Sequence, residues 1–199
     1  MAWSLSYQRI RKPELTDAFL LAADKALHLA NAFEVKCKYV LRIFNLVQAI
    51  EADPVSSLEQ AIATLPKDKM LGGTLQDILR YDVGDDNAAA ELLDKARSAR
   101  NFIAHEGAAV GAIWSLQTKD VIHHAALLRS AVHDLVAGDN LISAWCYEIE
   151  EKEHAPRLFK ATYPAMVNDW VFGALDLLLA TIDLADDRQQ PLREILGST

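Results

Sequence analysis

The sequence predicts an all-α fold, an up-and-down helical bundle with a long first helix. Three observations lead there. Apolar residues recur every three or four positions along several segments too long for ordinary strands. Period-two alternation of β-branched residues is found nowhere. Pro, Gly and short polar residues punctuate the chain where helices would start and stop. With 199 residues, 51% of them apolar and 24% charged, the chain has the balance of one folded domain over 1–199. A helical extension is expected over about 155–199.

The first helix is expected from about Pro13 to about Ala52, where Phe19, Ala22, Ala26, Ala30, Phe33, Cys37, Val40, Phe44 and Val47 line one face. Pro13 suits a first turn, and Asp53-Pro54 ends the helix. Ser56-Ser57-Leu58-Glu59 carries the Ser-x-x-Glu spacing of a capping box, opening a short helix that ends near Leu65-Pro66. Gly72-Gly73-Thr74 precede another short helix to about Arg80. The polar stretch Asp82 to Asn87 reads as a loop ending in capping residues. From Ala88 to Glu106 the pattern is helical, with Leu92, Ala96, Ala99 and Ile103 on one stripe and Gly107 as its stop. A loop of small residues, about Ala108 to Ala112, follows. Thr118 can cap a long helix through Val121, Ala125, Leu128, Val132 and Leu135, with a kink or break expected at Gly138-Asp139-Asn140 before Leu141 to Lys152. The last helix is expected from Pro164 to about Asp186, through Val167, Trp170, Ala174, Leu178 and Ile182.

Composition excludes several classes. A net charge of −8 argues against broad coating of nucleic acid, which needs a surface of Lys and Arg, although it leaves room for a small basic site. The two cysteines, Cys37 and Cys146, have no CxxC spacing, so neither a disulfide framework nor a zinc site is expected and a reducing, cytoplasmic setting is the default. Met1 to Ser6 lacks the pattern of a signal peptide. The most apolar window, Trp170 to Ile182, is too short for a membrane span and contains Asp176.

The segment where chemistry is expected is Arg97-Ser98-Ala99-Arg100-Asn101-Phe102-Ile103-Ala104-His105. On a helix, Arg97, Asn101 and His105 are spaced by four and share a face. Arg100 sits at its edge, roughly 140° around the axis from His105, so one copy makes a loose pair. Two copies brought antiparallel across a dimer could set two Arg and two His around one phosphate. Arg100-Asn101-Phe102-Ile103-Ala104-His105 resembles the Arg, four to six residues, His signature of the HEPN superfamily, including an Asn directly after the Arg. The resemblance extends over the helical frame from roughly Pro13 to Glu153.

The resemblance implies a bundle that dimerises through the motif helix and forms an endoribonuclease site in the shared cleft, with no metal or other cofactor. Members act as toxins or in phage defence, so RNA is the implied substrate and an antitoxin or inhibitor protein an implied partner. Others have lost catalysis and only bind, which leaves a regulatory or binding module open. In the catalytic reading, His105 takes the 2′-hydroxyl proton or protonates the leaving 5′-oxygen, as suits an imidazole near neutral pH. Arg100 holds the phosphate and its developing charge, and Asn101 orients His105 or the phosphate. Arg97 contacts the RNA backbone or pairs with Asp94 instead. Some members carry a Tyr two residues after the His, which a nucleotidyltransferase modifies. Gly107 stands at that position here, so that regulation is not expected.

A rival reading rests on His133-Asp134. With an upstream His105, His123 or His124 and a later Asp, they resemble the ligand order of HD-type metal-dependent phosphohydrolases, but His133 and Asp134 lie among the solvent-facing positions of a plain amphipathic pattern. Glu151-Lys152-Glu153-His154 has one Glu-x-x-His spacing where a di-iron bundle needs two, so it reads as a solvated helix end. His123 and His124 point about 100° apart rather than forming a metal pair. Trp145, Cys146 and Trp170 read as core or interface packing.

Overall fold

A computed structural model describes residues 13–67, 69–81, 86–108 and 118–181, all of it helix, turn or irregular. The helices are α1 (Pro13–Ala52), α2 (Leu58–Thr64), α3 (Leu71–Ile78, extended by a 3-10 turn over Leu79–Tyr81), α4 (Asp86–His105), α5 (Thr118–Glu151) and α6 (Arg157–Thr181). The expectations for the N-terminal segment before Pro13, for Asp82 to Gly84 with Asp85, for Ala109 to Ala112 and for Ile182 to Asp186 lie outside the described residues.

Four long helices make the bundle. Lys36 of α1 meets Asp139 and Ser143 of α5, and Phe33 lies beside Gly138, so α1 and α5 run parallel. Arg129 of α5 reaches Asn168 and Asp176 of α6 while Asn140 reaches Lys160, so α6 returns antiparallel. Gly138 also touches Leu92 and Ala96 of α4, whose C-terminal half carries Arg100 to Glu34 of α1. Both α4 and α6 pack on α1 and α5. The result is an up-and-down arrangement, with α2 and α3 inserted between α1 and α4. Its core is apolar and continuous from Leu15 and Phe19 through Phe33, Leu93, Leu128, Leu135 and Ile142 to Phe172.

The helix α4 begins at Asp86, so Asp86 and Asn87 are helical rather than loop, and three further boundaries differ from expectation, each for a local reason. The capping box is Ser57 with Gln60 rather than Ser56 with Glu59: the Ser57 hydroxyl accepts from Gln60 N at 3.3 Å and Gln60 Oε1 accepts from Ser57 N at 2.9 Å. Ser56 is committed to the turn after α1, its hydroxyl donating to the Asp53 carbonyl. Gly72 and Gly73 lie inside α3 rather than before it, because Leu71, Leu75 and Ile78 are all buried on one stripe. Burial there outweighs the roughly 1 kcal/mol that each glycine costs a helix. Finally, α6 begins at Arg157 and runs through Pro164. Proline has no N–H for the carbonyl four residues back, and that carbonyl, Lys160 O, takes the Asn140 side-chain amide at 2.8 Å instead.

The expected break at Gly138 is absent, for α5 is continuous from Thr118 to Glu151. Gly138 lies directly against Leu92 and Ala96 of α4. A Cβ there would lie 2.4 Å from Ala96 Cβ, with the Phe33 ring at 3.7 Å behind it. Gly138→Ala is therefore expected to destabilise the fold. Overpacking costs up to about 3 kcal/mol, and the gain in helix propensity returns about 1 kcal/mol. The net is about 2 kcal/mol, or about 4–8 °C in Tm for a chain of this size. A thermal melt checks it, and an unchanged Tm would mean that α4 and α5 separate at no cost.

Candidate functional site

α4 ends where its sequence says it should. The amides of Glu106 and Gly107 both donate to Phe102 O, at 2.7 and 2.9 Å, closing the last turn. A Cβ on Gly107 would lie 2.7 Å from Ile103 O, so this tight closure needs glycine. Ala96, Ala99 and Ile103 face the core as expected. Leu93 is inward and fully buried, whereas Leu92 stands at the edge of exposure.

That register sets the motif. Asn101 and His105 are exposed one turn apart on the same ridge, with Arg97 half-buried one turn earlier. No hydrogen bond or ion pair among the described residues holds the His105 ring. Arg97 takes the Asp94 pairing, with Nη2 2.7 Å from Asp94 Oδ1. Arg100 points away from His105. Its Nη2 pairs with Glu34 of α1, its Nη1 donates to Asn101 Oδ1 at 3.3 Å, and its buried Nε has no acceptor. Within one chain, then, Arg100 and His105 do not meet.

Nothing in the local spacing points to Glu34, which lies 66 positions before Arg100. It also takes Lys38 Nζ at 2.8 Å, one turn along α1. The Lys38 hydrogen bond lowers the Glu34 carboxyl below its ordinary value, partial burial opposes this, and the Arg100 charge adds to the lowering. Glu34 is thus an anion at neutral pH, shared by two cations. Beside it an open groove of about 330 Å³ is lined by Lys38, Lys69, Arg97, Arg100 and Asn101 among others.

The other candidates are not drawn together. His133 is exposed on α5 beside a groove against Pro164 and Asn168 of α6, and Asp134 is half-buried within electrostatic reach of Lys95 on α4. Among the described residues no three His, Cys, Asp or Glu side chains group in a way that could hold a metal. His123 and His124 stack edge to face, 5.7 Å between ring centres. His154 is exposed just past the end of α5, with Glu148 Oε1 3.5 Å from its Nδ1. Burial raises the Cys37 thiol and pushes Cys146 up to about 11, so neither offers a ready thiolate. Trp145 is half-buried against the core. Trp170, by contrast, is 44% exposed, its ring edge-on to His28 with Lys25 above it.

A second polar cluster, which the sequence did not signal, joins α1, α5 and α6. Asp139 is fully buried. Lys36 Nζ lies 2.5 Å from its Oδ1 as an ion pair outside hydrogen-bond geometry, and also donates to Ser143 Oγ at 2.8 Å. The Tyr163 hydroxyl donates to Asp139 Oδ2. Burial, with the Asp139 charge beside it, raises that hydroxyl far above the ordinary tyrosine value.

No described helix is long and apolar enough to cross a membrane. No protein-family model matches the chain, and no curated protein or solved structure is significantly similar to it.

Proposed function

We propose that the chain is a HEPN-type endoribonuclease whose site is composed from two copies, with Arg100 and His105 cleaving RNA without a metal. The observation that carries this reading is the surface of α4. An unpartnered, exposed imidazole and an exposed amide share one ridge, and two guanidiniums line the groove beside it. A two-fold axis near Asn101, with the α4 helices antiparallel, would set His105 of one protomer opposite Arg97 of its partner, with Arg100 alongside.

The Glu34 pairing is compatible with this chemistry. A phosphate competes with Glu34 for Arg100, and when Arg100 moves, Lys38 remains on the carboxylate, so no bare buried charge is left. Cleavage then follows from proton positions. The 2′-oxygen attacks phosphorus as an imidazole removes its proton, the bond from phosphorus to the 5′-oxygen breaks, and an imidazolium protonates that oxygen. The products are a 2′,3′-cyclic phosphate and a 5′-hydroxyl end, and Arg100 offsets the charge gathering on the phosphoryl oxygens. A toxin or defence role, with an inhibitor protein, belongs to the same proposal.

One observation favours a second reading. Arg100 already has a carboxylate partner, as a structural arginine would, and a binding module of the same fold needs no more. Incubating RNA with wild type and His105→Ala in excess EDTA separates the two. Cleavage by wild type alone, leaving 2′,3′-cyclic phosphate ends, is the expected result, whereas RNA left intact by both proteins would favour the module.

A further inference from the structure

The groove beside Arg100 continues into a second one. Lys38 and Lys69 line both, and the second, of about 190 Å³, runs on between α1 and the end of α2, where Arg42 and Lys67 stand. On α1 the register is regular: Glu34, Lys38, Arg42 and Asn45 follow one helical stripe over about 16 Å of axis.

Charge along this track runs against the rest of the molecule. Lys38, Arg42, Lys67, Lys69, Arg97 and Arg100 line it with two acids among the described residues, Glu34 and Asp77. The whole chain holds 20 Lys and Arg against 28 Asp and Glu. Glu34 is shared between Lys38 and Arg100, and Asp77 between Lys69 and Arg80, so both acids are already saturated. Arg42 and Lys67 have no acid partner among the described residues. A concave cationic track on an acidic protein focuses field and draws in a polyanion that the remaining surface repels.

We propose that this continuous groove is a binding track for the sugar-phosphate backbone of single-stranded RNA, leading the strand to Arg100. The inference rests on the ribonuclease reading for where the strand goes, and on the charge and shape of the groove for what it binds. Cationic grooves of this kind track the backbone of a single strand. No aromatic side chain of the described residues lines either part, so the track grips phosphates without stacking bases and is indifferent to sequence. Arg42 and Lys67 are its contacts remote from the reacting phosphate.

The test is the salt dependence of binding by full-length His105→Ala, measured by anisotropy of fluorescein-labelled oligouridylate. Each phosphate contact on a single strand contributes about 0.7 to the slope of log K against log salt. Adding Arg42→Ala and Lys67→Ala together is expected to reduce that slope by about 1.4 and to weaken binding at least tenfold at low salt, with the circular dichroism spectrum unchanged. Adding Lys95→Ala instead, on the exposed outer face of α4, is expected to leave the slope as it was. Reduction of the slope by the groove pair supports the track even where wild type leaves the RNA uncut, an outcome that overturns only the ribonuclease reading. A slope unchanged in the groove variant, or no binding in either background, overturns the track, and cleavage by wild type in that case leaves the ribonuclease reading standing.

Discussion

Asp139→Ala is expected to destabilise the protein by about 3 kcal/mol. Removing one partner of a buried ion pair costs about 3–5 kcal/mol, chiefly because the remaining charge is left uncompensated. Here the lower end applies, since the Lys36 side chain is 28% exposed and its ammonium can turn to water. The same change strands the Tyr163 hydroxyl, which donates to Asp139 from α6. In thermal unfolding the loss corresponds to about 6–12 °C. The reverse change, Lys36→Met, is expected to cost at least as much, because Asp139 has no exposed surface through which to recover solvation. The double variant Lys36→Met with Asp139→Leu is expected to regain most of the loss, as buried pairs replaced by apolar residues of similar volume often do. A Tm for Asp139→Ala within a degree or two of wild type would mean that the cluster contributes nothing to the docking of α6.

The fold was legible where one face of a helix is apolar and the other polar. In α5, Val121, Ala125, Leu128, Val132 and Leu135 are all buried as the spacing predicts. In α1 the stripe holds through Val40 and fails only at its end, where Val47 is 49% exposed beyond the packing of the other long helices. Periodicity lost its meaning in α6, which is apolar almost all round: Val167, Val171, Phe172 and Leu175 are buried while Trp170 and Leu177 are exposed. Such a helix has no polar face from which its register can be read. Glycine and proline misled for a related reason. Their local penalties mark boundaries only when tertiary contacts do not offset them, and at Gly138 and Pro164 they do, through the close approach of Ala96 and the Asn140 amide.

At the candidate site, the sequence placed what lies on one helix. Arg97, Asn101 and His105 do share a ridge of α4, and Gly107 does close it, because both follow from helical geometry and a single turn. What Arg100 does could not be read. Its direction depends on Glu34, whose proximity is a property of how α1 crosses α4 and leaves no mark in local spacing. The basic groove was hidden in the same way. Its cations come from α1, from the segment between α2 and α3, and from α4, and the net charge of −8 conceals their convergence.

If the site is shared between two copies, chains that are inactive alone should restore one another. His105→Ala is expected to lower RNA cleavage by about 10²–10⁴-fold, the usual contribution of a positioned acid or base. Its fold should be unchanged, since the ring is exposed and makes no hydrogen bond or ion pair with the described residues. Arg100→Ala is expected to lose about 10²–10³-fold through charge stabilisation, with a smaller cost in stability because Lys38 still holds Glu34. A mixture of the two inactive proteins, unfolded and refolded together, forms dimers with one intact Arg100 and one intact His105 on opposite chains. Cleavage in that mixture is expected to rise well above either protein alone. Mixed dimers seen by native mass spectrometry without recovered cleavage would overturn a site in which one Arg100 and one His105 suffice across the interface. The geometry of a single chain disfavours their acting together from that chain, as Arg100 turns toward α1 while His105 faces outward at the end of α4.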